Sequence, residues 1–309
     1  MRLLVVGAGS TGGYFGGRLA QAGRDVTFLV RPRRADQLRD GGLTILSPLG
    51  DVSLRPTVVT TESLAETYDV ILLSVKAYSL ESALADLAPA VGPKTMIIPM
   101  LNGMRHLEML AERFGPDSVL GGVCVIGATL DDQGRIIHMN ELHDFSYGEL
   151  TGVASARIQA VDQLMQGAGF NARLSPTIER DMWEKWVFLA SMGGINCLMR
   201  GNIGEIQAAP GGTESTLELL KEVTTVVRAI GVKPTEAFLS QVQALLTTAG
   251  SKQASSMYRD LGHGGRIEAD QIIGDLLARA RRANIATPLL TAVYAQLCVY
   301  QSRLGPQAS

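Results

Sequence analysis

"LLVVGAGSTGG", residues 3–13, decides the fold of the first half of this chain. Four apolar residues in succession read as a short buried strand, and the glycine after them ends it. Gly7, Gly9 and Gly12 follow as GxGxxG. At that spacing the first glycine permits a tight turn, the second lets a pyrophosphate approach the backbone, and the third lets a helix pack closely. The N–H groups at that helix start favour an anion. Alone the motif is weak evidence. Here a strand precedes it and a helix and second strand follow, so Gly7, Ala8, Gly9, Ser10, Thr11 and Gly12 are expected to hold a dinucleotide.

The same rhythm continues outward. Short apolar runs at Val26–Val30, Val70–Val75, Met96–Pro99 and Val119–Ile126 alternate with helical stretches. That alternation predicts βαβ units on a mostly parallel sheet. The span 130–149 alternates polar and apolar residues around a "DQG" turn, which predicts an antiparallel hairpin at the sheet edge. From about residue 177 the strand signals vanish. "ESTLELLKEVTTVVRAI" (214–230) ends at Gly231, "TEAFLSQVQALLTTA" (235–249) ends at Gly250, and "RIEADQIIGDLLARARRAN" (266–284) repeats apolar residues at helical spacing. Thr287 before Pro288 reads as an N-cap followed by proline in the first helical turn. The fold class expected is an α/β Rossmann-type domain over 1–175, then an all-α domain over 176–309.

Composition narrows the function. A net charge of −2 gives no basic field for nucleic acid or an anionic membrane. No apolar run reaches the roughly 20 residues that span a bilayer, and the N-terminus enters a strand directly, so no signal peptide is expected. Cys124, Cys197 and Cys298 are odd in number and far apart, which fits reduced thiols in a cytoplasmic protein. The four His are scattered, without metal-ligand spacing, so no metal site is expected.

Four positions then stand out. "TFLVRPRR" ends the second strand at Arg31, where an NAD site usually has Asp or Glu for the ribose 2′-OH. A guanidinium there suits a 2′-phosphate and predicts NADP(H). "LSVKAYS" and "IPMLNGM" put Lys76 and Asn102 just beyond two further strands. In a doubly wound sheet the carboxyl ends of the strands form the ligand crevice, so both are expected at its mouth. In the second half, "DMWEKWVFLASMGGINCLMR" (181–200) sets Lys185 beside Trp183 and Trp186, the only two Trp of the chain. A lysine there either snorkels along the apolar surface or serves chemistry.

Taken together, GAGSTG, Arg31, SVKA, LNGM, WEKW and "SSMYRDLGHGGRIEADQI" make the chain resemble the ketopantoate reductase (2-dehydropantoate 2-reductase) family. The resemblance implies NADPH-dependent reduction of ketopantoate to pantoate in pantothenate synthesis. It implies a Rossmann domain and a helical domain with the active site in the cleft between them. By motif, Gly7 to Gly12 and Arg31 would hold NADP, with Lys76 and Asn102 near its nicotinamide half. Ala128 falls near a further cofactor contact, and Glu268 on a glutamate associated with cofactor and active site. Lys185 falls on the catalytic lysine and Ser256 on the substrate-binding serine, with Asn102 and Lys185 also meeting substrate.

Departures from the family pattern bear on the substrate. Leu189, Gly193 and Ile203 stand where the family usually has Asn. Asn202 is adjacent to the last. Asn196 shares the helix face of Lys185 but lies eleven residues on, roughly 16 Å away at 1.5 Å per residue. Fewer polar contacts predict a more apolar substrate pocket. Two alternatives stay open: a paralogue reducing a different, more apolar 2-keto acid, and a non-catalytic NADP-binding sensor. The helical half also has apolar faces enough for a homodimer.

Overall fold

The computed structural model describes residues 1–305 and divides the chain into two compact units. One comprises Met1–Leu101 and His106–Glu179; the other comprises Asn102–Arg105 and the chain from Arg180 onward. Asn102 lies within the stretch read above as 1–175, yet its contacts group it with the helical unit.

The first unit is built on five parallel strands: β1 (Arg2–Val6), β2 (Asp25–Leu29), β5 (Thr57–Val59), β6 (Tyr68–Leu73) and β7 (Val91–Pro99). Their spatial order is β5-β2-β1-β6-β7. Both faces are covered. Leu3 and Val5 of β1, with Val70 and Leu72 of β6, enter one core; Leu4 and Val6, with Ile71 and Leu73, enter the other. A strand buried on both faces must be apolar at every position, which is why these segments read as unbroken runs. Burying each such side chain contributes on the order of 1.5–3 kcal/mol. Helix α1 (Ser10–Gln21) joins the first core, while α3 (Leu80–Leu87) and α4 (Arg105–Phe114) join the second.

The hairpin expected at the edge of this sheet belongs elsewhere. It is formed by β8 (Gly121–Leu130) and β9 (Ile136–Gly148), so its first arm starts nine residues before position 130. It sits in a second sheet, ordered β10-β9-β3-β4 with β8 on β9, which also contains β3 (Leu43–Leu46), β4 (Val52–Leu54) and β10 (Asn171–Leu174). Val119 still bridges Ile97 in parallel before the chain departs. Gly121 and Gly122 make the departure possible: a Cβ on Gly122 would run into the Pro99 carbonyl, and one on Gly121 would lie 2.7 Å from Ile178. The "DQG" turn itself is as expected, with the Asp131 carboxylate accepting from the Gln133 and Arg135 amides at 3.0 and 2.8 Å. The remaining helices of this unit are α2 (Pro32–Gly41) and α5 (Ala156–Met165).

Beyond Ser175 every described element is helical: α6 (Ile178–Met199), α7 (Ile203–Ala208), α8 (Gly212–Ile230), α9 (Glu236–Leu246), α10 (Ser256–Gly262), α11 (Asp275–Arg282) and α12 (Pro288–Arg303). Three details differ from the sequence reading. Gly231 ends α8 in an extended conformation, φ −135°. It is glycine for packing, because a Cβ there would lie 2.7 Å from the Trp183 ring. Thr287 occupies the N-cap position of α12 but makes no side-chain cap. The buried Glu222 carboxylate of α8 caps instead, accepting from the Leu289 and Leu290 amides at 3.0 and 2.8 Å. The helix expected from 266 begins only after Glu268, and its first turn, Asp270–Gly274, is a π turn. No helix among the described residues is long and apolar enough to cross a membrane.

Candidate active site

The glycine loop follows β1, the middle strand of the parallel sheet, at the point where the strand order reverses direction. Gly7 has φ 94° and lies against Ser74, the residue after β6; a Cβ at Gly7 would strike the Ser74 carbonyl. Gly12 in α1 packs against the same residue, and its Cβ would lie 2.7 Å from Ser74 Cβ. Gly9 is different: nothing lies within 4 Å of the place its Cβ would take. It is also the N-cap of α1, with no side-chain cap and no acidic residue in the first turn. Ala8 is buried, and Ser10 and Thr11 open the helix. Two glycines thus close the loop onto the sheet, and the third leaves open space beside undecorated helix N–H groups. That arrangement fits a pyrophosphate.

The arginines after β2 divide. Arg31 is the exposed N-cap residue of α2. Arg34, which the sequence did not single out, is half-buried. Its Nε donates to the Ala8 carbonyl at 3.2 Å and one terminal nitrogen donates to the Gly134 carbonyl at 2.9 Å, tying the glycine loop to the hairpin turn. Burial holds its guanidinium below ordinary arginine basicity. Arg31 keeps the exposed place at the carboxyl end of β2 that a 2′-phosphate would need. Lys76 is exposed at the carboxyl end of β6, as the N-cap residue of a short 3-10 turn. Ala128 is half-buried on β8 opposite His138, beside a break in strand register at Ile126/Ala128.

In the helical unit, Lys185 is half-buried on α6 between two different tryptophans. Trp186 is almost wholly buried, and its indole N–H donates to the Ile272 carbonyl in the π turn at 2.8 Å. Trp183 stacks toward it at 5.3 Å between ring centroids and fills the space beside Gly231. The guanidinium of Arg279, paired with Asp275 at 3.1 Å, lies 5.7 Å over the Trp186 ring. Both Trp anchor α6, so the backbone that carries Lys185 is fixed. Asn102 meets the same π turn: Gln271 Nε2 donates to its backbone carbonyl at 3.0 Å. Glu268 is buried just before that turn. The segments carrying Asn102, Lys185 and Glu268 therefore converge on one element.

The "SSM" serines have separate tasks. Ser255 caps α10, accepting from the Tyr258 amide at 3.1 Å, and its own amide donates to Asn196 Oδ1 at 3.0 Å. Ser256 is half-buried, and among the described residues its hydroxyl has no hydrogen-bond partner. Asn196 is fully buried, and its Nδ2 donates to the Gly201 carbonyl at 2.9 Å. Asn202 caps α7 reciprocally with Glu205. Ile203 is buried completely. Beyond Lys185 on the same helix face come Leu189 and Gly193. A Cβ on Gly193 would meet Met257 Cε at 3.0 Å. Neither nearby Asn thus replaces the missing polar groups. Burial pushes the Cys197 thiol up to about 12, so it is no nucleophile at neutral pH.

The chain resembles known proteins along most of its length. Residues 3–152 match the family model described as ketopantoate reductase PanE/ApbA, and residues 177–301 match its C-terminal counterpart. The chain is 39% identical to the uncharacterized oxidoreductase YkpB of Bacillus subtilis (strain 168), over 98% of this chain and 99% of the relative. Among solved structures, 2-dehydropantoate 2-reductase from Geobacter metallireducens superposes with a TM-score of 0.87 at 25% identity, covering 97% of this chain and 99% of the other. D-mandelate dehydrogenase in ternary complex with NADH and anilino(oxo)acetate superposes with a TM-score of 0.87 at 21% identity, covering 99% and 100%.

Proposed function

The chain belongs to the ketopantoate reductase family of oxidoreductases, and from that premise we propose that it reduces a 2-keto acid to the 2-hydroxy acid with NADPH, ketopantoate being the leading substrate. One observation carries the reading: the open space at Gly9 beside the uncapped start of α1, formed by a loop that Gly7 and Gly12 close onto Ser74. When bound there, NADPH supplies the hydride. Arg31 would hold its 2′-phosphate, and Lys76, Asn102, Ala128 and Glu268 would be the further cofactor-binding residues. Ser256 holds the substrate by its hydroxyl. Hydride addition to the keto carbon leaves negative charge on oxygen. The Lys185 ammonium balances that charge and donates the proton.

A second reading, favoured by a specific observation, is a more apolar 2-keto acid. Leu189 and Gly193 follow Lys185, while Asn196 and Asn202 are engaged in capping and loop contacts. The fold does not choose between acids, since D-mandelate dehydrogenase shares it. The test is NADPH oxidation with ketopantoate and its 4-deoxy analogue. A site that hydrogen-bonds a hydroxyl rejects the analogue lacking it by about 10⁴-fold, whereas an apolar wall discriminates weakly. The expected kcat/KM ratio is below about a hundredfold. A preference for ketopantoate above about a thousandfold would mean that other residues bind the 4-hydroxyl. No oxidation with any 2-keto acid would remove the reductase reading.

A further inference from the structure

The π turn Asp270–Gly274 holds two segments of the candidate site through consecutive residues. Gln271, buried, donates from Nε2 to the Asn102 carbonyl at 3.0 Å, across 169 residues of sequence. Its neighbour Ile272 accepts the Trp186 indole N–H at 2.8 Å. The segment after Asn102 lies directly on Gln271. Gly103 has φ 79°, and a Cβ there would lie 2.9 Å from the Gln271 backbone oxygen and 3.3 Å from its Nε2. A side chain at 103 would therefore both strain the backbone and push the loop off the turn. A π turn inserts one residue into the α-helical ladder and frees backbone groups for outside partners. Here the Ile272 carbonyl of the turn accepts from Trp186, which neighbours Lys185.

We propose that Gln271 is a positioning residue: its carboxamide fixes the Asn102–Gly103 loop on the π turn and so sets where the Asn102 side chain presents itself to cofactor and keto acid. The inference rests on the reading of Asn102 as a binding residue. A single hydrogen bond to a loop carbonyl suffices because small misplacements of a binding group cost rate steeply, up to about a hundredfold per ångström. Methionine at 271 keeps the length of the side chain and removes the donor. Glutamate keeps the shape, repels the Asn102 carbonyl when ionised, and can donate to it when protonated.

The experiment compares the full chain with Asn102→Ala, Gln271→Met, their double variant and Gln271→Glu. It reads NADPH Kd, kcat/KM for ketopantoate, and thermal midpoint. Gln271→Met is expected to weaken NADPH binding and kcat/KM about tenfold, in the same direction as Asn102→Ala. The double variant should be no worse than Asn102→Ala by more than about twofold, because Gln271 acts through a residue already removed. Gln271→Glu should recover toward the parent as pH falls from about 8 to about 5.5, as its carboxyl takes up a proton. Losses that multiply in the double variant would overturn the proposal, as would parental kinetics in Gln271→Met. If Gln271→Met fails to fold, the Gln271→Glu profile decides, and a flat ratio to the parent across that pH range overturns it. Parental Kd and kcat/KM in Asn102→Ala would instead show that the reading of Asn102 is wrong. A loss there without any in Gln271→Met sinks only the positioning role.

Discussion

At the scale of single residues, one sequence signal, the basic run after β2, resolves into different tasks. Arg34 is turned inward, bonded to the Ala8 and Gly134 carbonyls, whereas Arg31 stays exposed at the strand end. Arg31 keeps the exposed position directly after β2, and under the proposed function it is the residue assigned to the 2′-phosphate. Arg31→Asp removes a charge-assisted contact and adds repulsion, on the order of 2–4 kcal/mol together. NADPH Kd should therefore rise by about thirtyfold or more, with NADH Kd little changed. Titration of both cofactors checks this, and an unaltered NADPH Kd would remove the 2′-phosphate role. The sequence marked Arg31 because its position relative to a strand is local information. It could not mark Arg34 or Gln271, whose partners are carbonyls distant along the chain. Nothing in composition or spacing announces which loop carbonyl a buried side chain will meet.

At the scale of elements, local rules located most of the strands and helices and missed what holds them. The buried strands β1, β2 and β6 were legible because both faces demand apolar residues. The hairpin turn was legible because Asp131 folds it locally. Its membership of a second sheet was not, since the departure at Gly121 and Gly122 depends on Pro99 and Ile178. Likewise Thr287 and Pro288 marked the start of α12 correctly, but the cap comes from Glu222, more than sixty residues earlier. Gly231 also ended its helix as expected, for a different physical reason. An αL cap would tolerate asparagine, but an extended glycine under the Trp183 ring tolerates no Cβ at all. Gly231→Ala should therefore lower stability by about 1–3 kcal/mol, the usual range for overpacking a filled core. Urea unfolding of parent and variant measures it. A change under about 0.5 kcal/mol would show that the α8 terminus yields easily.

At the scale of the whole molecule, the proposed pyrophosphate and 2′-phosphate contacts belong to the parallel-sheet unit, and the proposed proton donation belongs to the helical unit, which also carries Asn102 and Glu268. The two tasks should therefore be separable by substitution. Lys185 is the residue on which that division turns. It lies on a helix held by Trp186 to the π turn and by Trp183 against Gly231, so its removal should leave α6 in place. The decisive measurement is kcat of Lys185→Ala at saturating keto acid, with NADPH Kd and thermal midpoint measured on the same preparation. General-acid help and oxyanion stabilisation are together worth about a hundredfold to ten-thousandfold in rate. The expected result is a kcat loss in that range with both controls at parental values. A kcat within about threefold of the parent would return Lys185 to a snorkelling surface role, and a loss that merely follows the thermal midpoint would make it structural; either result contradicts the assignment of proton donation to the helical unit.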